Sequence, residues 1–237
     1  MPQELYILAS AAASIALLHT LLGPDHFLPF VALGKIRGWS VKKVALVTAG
    51  CGLGHSVGSI VLGLLGIWLG STLGSLQLIE GFRGDLAAWA LLSFGVLYTA
   101  WGIRKALRNK PHEHFHTHAD GTIHNHTHNH ASDHAHLHAA RSGVPIAPWT
   151  LFIIFVLGPC EPLIPLMMYP AATASAAAMA LVVGIFVFVT VATMSSVAVA
   201  VYAGLRFVPA EALQRFRHAI AGSTFAFCGA AIVGLGL

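Results

Sequence analysis

Six apolar stretches, each roughly 20 residues or more, constrain this chain before anything else does. They run at about 6–33, 43–70, 84–104, 148–170, 173–205 and 216–237. Runs of that length match the hydrocarbon thickness of a bilayer. The residues for a soluble shell are missing: only 9% of the chain is charged, against roughly a quarter in soluble proteins. The expected fold is therefore an all-α integral membrane protein with six transmembrane helices. The N-terminus has no basic segment and no small-residue cleavage site before a short apolar core, so no signal peptide is expected and the first span stays. The net charge of +4 does not point to nucleic acid, because the basic residues sit in short segments between spans. Cys51, Cys160 and Cys228 all fall in apolar runs, an odd set that does not read as a disulfide framework.

The basic residues also set an orientation. Lys35, Arg37, Lys42 and Lys43 lie between spans one and two; Arg104, Lys105, Arg108, Lys110 and Arg141 between three and four; Arg206, Arg215 and Arg217 around the start of span six. The other side carries only Arg83. The positive-inside rule then places these three loops in the cytoplasm and both termini outside, in a multi-pass protein of the cell membrane.

Within the first span lies His19-Thr-Leu-Leu-Gly-Pro-Asp25-His26. Two imidazoles and a carboxylate in hydrocarbon each cost a few kcal/mol or more unless they pair, face a water-filled cavity or hold an ion. Gly23-Pro24 sits immediately before Asp25. Proline removes a backbone donor and clashes with the preceding turn, so the span is expected to break there. Broken helices at membrane depth are tolerated where they are buried in protein or line a cavity. The fourth span carries Gly158-Pro159, Pro162 and Pro165, and is expected to break in the same way.

These two breaks form an internal repeat. Gly23-Pro24-Asp25-His26-Phe27-Leu28-Pro29 resembles Gly158-Pro159-Cys160-Glu161-Pro162-Leu163-Ile164-Pro165. Each opens a group of three spans, and the next span of each group has a small-polar cluster: Gly54-His55-Ser56 in one, Thr193-Met194-Ser195-Ser196 in the other. Three spans per half is odd, so the halves must run in opposite directions, which is a transporter architecture. The expected organisation is a first three-helix repeat over 1–105, a cytoplasmic loop over 106–147 and a second three-helix repeat over 148–237.

That loop is of a different composition. Eleven of the fifteen histidines fall in it: His112, His114, His116, His118, His124, His126, His128, His130, His134, His136 and His138. Apolar periodicity is absent, so the segment is expected to be disordered, offering many weak nitrogen donors rather than one defined site. A solvated or pH-sensing linker is the plainer alternative.

The candidate metal ligands are His19, Asp25, His26, His55, Cys160 and Glu161. His19 and His26 are two helical turns apart and share a face if the helix stays regular. His55 sits among Gly50, Gly54 and Gly58, whose four-residue spacing lets another helix approach closely. Imidazole suits nickel, cobalt, zinc and copper, and a carboxylate adds charge neutralisation. Each residue also has a structural reading: an imidazole bonded to a nearby carbonyl, Cys160 as a small core residue, Glu161 capping a half-helix N-terminus. Thr193, Ser195 and Ser196 are candidates to support a ligand, although hydroxyls in such helices usually bond their own i−4 carbonyl.

His19, Asp25 and His26 resemble the histidine-aspartate-histidine signature of nickel/cobalt transporters, most closely the NicO and UreH-like (urease accessory) type. The histidine loop is similar to that of nickel/cobalt efflux members. The Gly158-Pro159-Cys160 and Pro162 pattern resembles the Pro-Cys motif of the DsbD/CcdA electron carriers, of the same six-helix superfamily. His19 and His26 are spaced more widely here than in the family pattern. What the resemblance implies is transport of Ni²⁺ or Co²⁺, with no enzymatic activity, no permanent cofactor, and a possible partner in a metallochaperone or metalloenzyme assembly system. The ion would bind near the midplane, between spans one and four, and the cytoplasmic loop favours efflux. Alternatives are a membrane metal-binding accessory protein, a thiol–disulfide carrier, which needs two cysteines that meet, and an anion exporter, which the lack of deep Lys or Arg disfavours.

Overall fold

The computed structural model describes residues 2–108, 112–117, 123–128, 146–158, 160–172, 175–205 and 215–235. The first apolar run forms helix α1 (Pro2–Leu22), a 3₁₀ turn (Pro24–His26) and helix α2 (Leu28–Arg37). The break falls at Gly23-Pro24, where the sequence places it. α2 ends at Gly38, whose φ of 61° is left-handed, a conformation that glycine adopts without a Cβ clash. Ser40 then caps α3 (Val41–Trp68) by accepting a hydrogen bond from the Lys43 amide.

Helix α4 spans Leu73–Arg108. It starts well before position 84, where hydropathy alone places the span. Glu80 and Arg83 therefore belong to the helix and not to a connecting loop. The fourth apolar run is divided into α5 (Ile146–Leu157) and α6 (Leu163–Ala172), with Gly158, Cys160, Glu161 and Pro162 at the break. Helices α7 (Ala176–Gly204) and α8 (Arg217–Leu235) complete the set.

Five of these helices, α1, α3, α4, α7 and α8, are long and apolar enough to cross a bilayer. Their outer surfaces are apolar too: Trp68, Phe82, Leu97 and Phe188 are each more than two-thirds exposed. A soluble protein hides such a band, and a bilayer solvates it. The chain is a multi-pass membrane protein by the length and composition of its helices.

Within the loop read from the sequence as disordered, His112–Thr117 (β1) and Ile123–His128 (β2) pair as an antiparallel hairpin. Alternation of histidine with other residues has the two-residue period of a strand. The register sets His112 opposite His128, His114 opposite His126 and His116 opposite His124. His118, His130, His134, His136 and His138 lie outside the described residues.

Small residues bring the helices together. A Cβ on Gly95 of α4 would lie 2.2 Å from the Ala226 amide nitrogen of α8, and one on Gly222 of α8 would lie 2.4 Å from the Thr99 nitrogen of α4. Gly102 and Gly229 repeat this contact one heptad along each helix. The two backbones touch, so dispersion between them replaces the hydrophobic drive that lipid does not supply. Elsewhere α3 packs on α7, α1 on α7 and α2 on α8. The C-terminal end of α2 is tied to the end of α7 by Lys35, which donates to the Leu205 carbonyl at 2.8 Å.

Candidate metal centre

The break in the first apolar run creates the site. Pro24 cannot donate a backbone hydrogen bond, and the chain tightens into one 3₁₀ turn that carries Asp25 and His26. His26 is thereby turned back beside His19, at 4.7 Å between ring centroids. Helix α3 brings His55 to the same place, 5.3 Å from His26 and 6.5 Å from His19. One ring nitrogen of each of His19, His26 and His55 lies within 4.8 Å of the others.

Hydrogen bonds fix which nitrogen is free. The Nδ1 of His26 is 3.2 Å from the Gly23 carbonyl, and the Nδ1 of His55 is 3.2 Å from the Phe155 carbonyl. A carbonyl only accepts, so both Nδ1 atoms carry the proton and both Nε2 atoms present a lone pair. Among the described residues, the Nε2 atoms of His19, His26 and His55 are all buried without a partner. An orphaned buried polar atom costs about 1–3 kcal/mol, and here three of them share one place. A metal ion would satisfy all three at once.

Asp25 does not join the three nitrogens. Its Oδ1 stands 3.4 Å from His26 Nδ1, on the far side of the ring from the free nitrogen. A carboxylate in that position orients the imidazole and raises its basicity as a ligand. Asp25 still lines the cavity, so its charge also offsets that of a cation there. The cavity has a volume of about 50 Å³ and is walled by the three histidines with Phe30, Leu91 and Phe155. It is large enough for an ion with a few waters. Three nitrogen donors leave open coordination positions, as in sites that exchange a ligand rather than lock one in.

The second break is placed differently from the sequence expectation. Cys160 is fully buried, and its amide donates to Ser59 Oγ at 2.9 Å. Its side chain packs with Ala12, Ala16, Leu163, Met167 and Phe186 in an apolar cluster. Glu161 is exposed, in the turn between α5 and α6. Neither belongs to the group of close donor atoms, so of the six candidate ligands the structure brings together three histidines, with Asp25 beside one of them. The physical reason is the direction of the second break. It brings the ring and carbonyl of Phe155 to the site and turns the side chains of Cys160 and Glu161 elsewhere. On α7, Met194 faces the site region, packed with Phe30, Cys51 and Phe155. Thr193, Ser195 and Ser196 do not line the cavity.

The structure adds residues that sequence reasoning passed over. Val156, at the end of α5, has its carbonyl bonded by Arg83 Nη2 at 3.3 Å, and Arg83 is ion-paired with Glu80. With His55 on the Phe155 carbonyl, which also accepts from the Gly158 amide at 3.1 Å, two side chains bond carbonyls of the last turn of α5. The available signal was the i, i+3 spacing of opposite charges at the edge of an apolar run.

No family model, curated protein or solved structure matches this chain. The resemblance to nickel/cobalt transporters therefore stands on its motif residues alone.

Proposed function

We propose that this protein carries a divalent transition-metal cation, Ni²⁺ or Co²⁺ in preference, across the cell membrane through the three-histidine cavity. The observation that carries this reading is the convergence of three histidines on one cavity at a broken helix, a ring nitrogen of each within 4.8 Å of the others and each Nε2 buried without a partner among the described residues. Imidazole donors suit these metals, and an incomplete coordination sphere lets an ion leave as well as bind. Ligation requires the neutral imidazole, so metal and protons compete for the site and affinity falls as pH falls.

In this reading the chain crosses the membrane six times, with α5 and α6 together forming the fourth pass, and its two halves are inverted repeats. Reciprocal packing supports that arrangement. α1 lies on α7 as α5 lies on α3, and α2 lies on α8 as α6 lies on α4. The helices α3 with α7, and α4 with α8, form the pairs that such symmetry maps onto themselves. Both termini then lie outside, the histidine loop lies in the cytoplasm, and the direction of net transport is efflux. Rocking of one half against the other exposes the cavity to each side in turn.

The thiol–disulfide alternative gains nothing from the geometry. All three cysteines are free, and Cys51 and Cys160 sit in separate packed clusters.

The test is metal flux in proteoliposomes with Ni²⁺, Co²⁺, Zn²⁺ and Mn²⁺, using His26→Ala as control. Saturable flux of one or two metals, lost in the variant, is the expected result. Stoichiometric binding without flux would replace transport by an accessory metal-holding role. Undiminished flux in His26→Ala would remove the site.

A further inference from the structure

We propose that Arg83, held between Glu80 and the Val156 carbonyl, is a gate that closes the passage between the histidine cavity and the membrane face at which α4 begins. The inference rests on the cavity being a cation passage. Its position comes first. Arg83 precedes Gly84, and Val156 lies two residues before Gly158; both glycines line the cavity. The guanidinium thus bridges α4 to the end of half-helix α5 beside residues that line the cavity, without lining it itself. Space for it is provided by α3, where a Cβ on Gly58 would lie 2.6 Å from Arg83 Nη2 and 3.1 Å from the Val156 oxygen. Any larger residue there pushes the guanidinium off its carbonyl.

Charge comes second. A fixed guanidinium beside a passage is an electrostatic barrier to a cation. It also suits the negative C-terminal end of α5. Passage of a metal ion toward that face requires the guanidinium to move aside, and the pair is built so that it can. Glu80 is 1% exposed, and only one of its oxygens is held by Arg83. The other, Oε1, is buried with no partner among the described residues. A half-satisfied buried pair is not locked as a fully bonded one is, and Arg83, at 19% exposed, has room to leave. Arg83 from α4 and the Cys160 thiol from the second break are charged or polar groups near Glu80; on the α3 side Gly58 lies against Arg83, and Ser59 holds the Cys160 amide.

The experiment reads access of water-borne reagent to the cavity, so it does not depend on metal transport. The reporter is Ala87→Cys on the cavity wall, in the full-length chain, in right-side-out and inverted membrane vesicles. Labelling by a membrane-impermeant cationic thiosulfonate is located by peptide mass spectrometry. The expected result is slow labelling in the parent and a rise of about tenfold or more with Arg83→Ala, in one vesicle orientation only. Arg83→Lys, which keeps the charge and a donor, stays slow. Glu80→Gln, which frees the guanidinium, labels faster than the parent. An unchanged rate in Arg83→Ala overturns the gate. So does a rise in both orientations, or one accompanied by labelling of the buried native Cys228, since that is a loosened fold. Absence of metal flux in the parent protein overturns the transport reading instead and leaves the labelling result as it stands.

Discussion

At the scale of single residues, the centre depends on tautomers. Carbonyl acceptors at Gly23 and Phe155 hold the Nδ1 protons of His26 and His55, and so leave the lone pairs on the Nε2 atoms of two rings that line the cavity. Asp25 strengthens one of those arrangements without supplying a ligand atom to the group. Its loss should therefore weaken the site and not abolish it. Asp25→Asn is expected to lower metal affinity by about ten- to a hundredfold, the range for residues that orient ligating imidazoles. His55→Ala removes a donor and should eliminate stoichiometric binding. Isothermal titration with Ni²⁺ in detergent distinguishes the two. Equal losses would mean that Asp25 ligates directly.

At the scale of elements, glycines serve two purposes, and substitution separates them. A Cβ at Gly23 would meet His26 Nδ1 at 2.3 Å and Asp25 Oδ1 at 2.9 Å, both of them side-chain atoms. Gly23→Ala should displace the His26 ring and reduce metal binding, with little change in thermal unfolding. At Gly95 the obstructing atoms are the backbone of Ala226 and Phe225, which cannot move without separating α4 from α8. Gly95→Leu should cost about 1–3 kcal/mol or more, as overpacking does. It should lower the unfolding temperature in detergent while leaving metal affinity in the surviving fold unchanged. A Gly23→Ala protein that unfolds early but binds normally would reverse these assignments.

Over the whole molecule, the proposed metal centre and the histidine loop are separable by experiment. The centre is assembled from α1, the 3₁₀ turn and α3, with α5 supplying the Phe155 carbonyl. Among the described residues, none of the loop lines the cavity. Deleting residues 112–138 should leave turnover within about twofold while raising the metal concentration needed for half-maximal flux, because the loop gathers ions by many weak contacts. Complete loss of flux on deletion, with the protein still folded, would put the loop in the path itself.

The apolar runs and the scarcity of charge sufficed to define a helical membrane protein, because lipid permits few other ways to satisfy a backbone. Gly23-Pro24 likewise located the break in the first run, since proline's missing donor acts locally. His19, His26 and His55 were legible as an intramembrane set because burying them without a partner is costly. Sequence could not tell which candidates converge. That depended on how the second break turns: it aims the Phe155 carbonyl at His55, buries Cys160 in an apolar cluster and leaves Glu161 exposed. Nor could hydropathy place Glu80 and Arg83 inside α4, because a charge pair at the end of an apolar run reads as a loop until its partner appears. That partner, the Val156 carbonyl, is 73 residues away in the chain. Local chemistry decided where the helices break, and tertiary packing decided which side chains the breaks bring face to face.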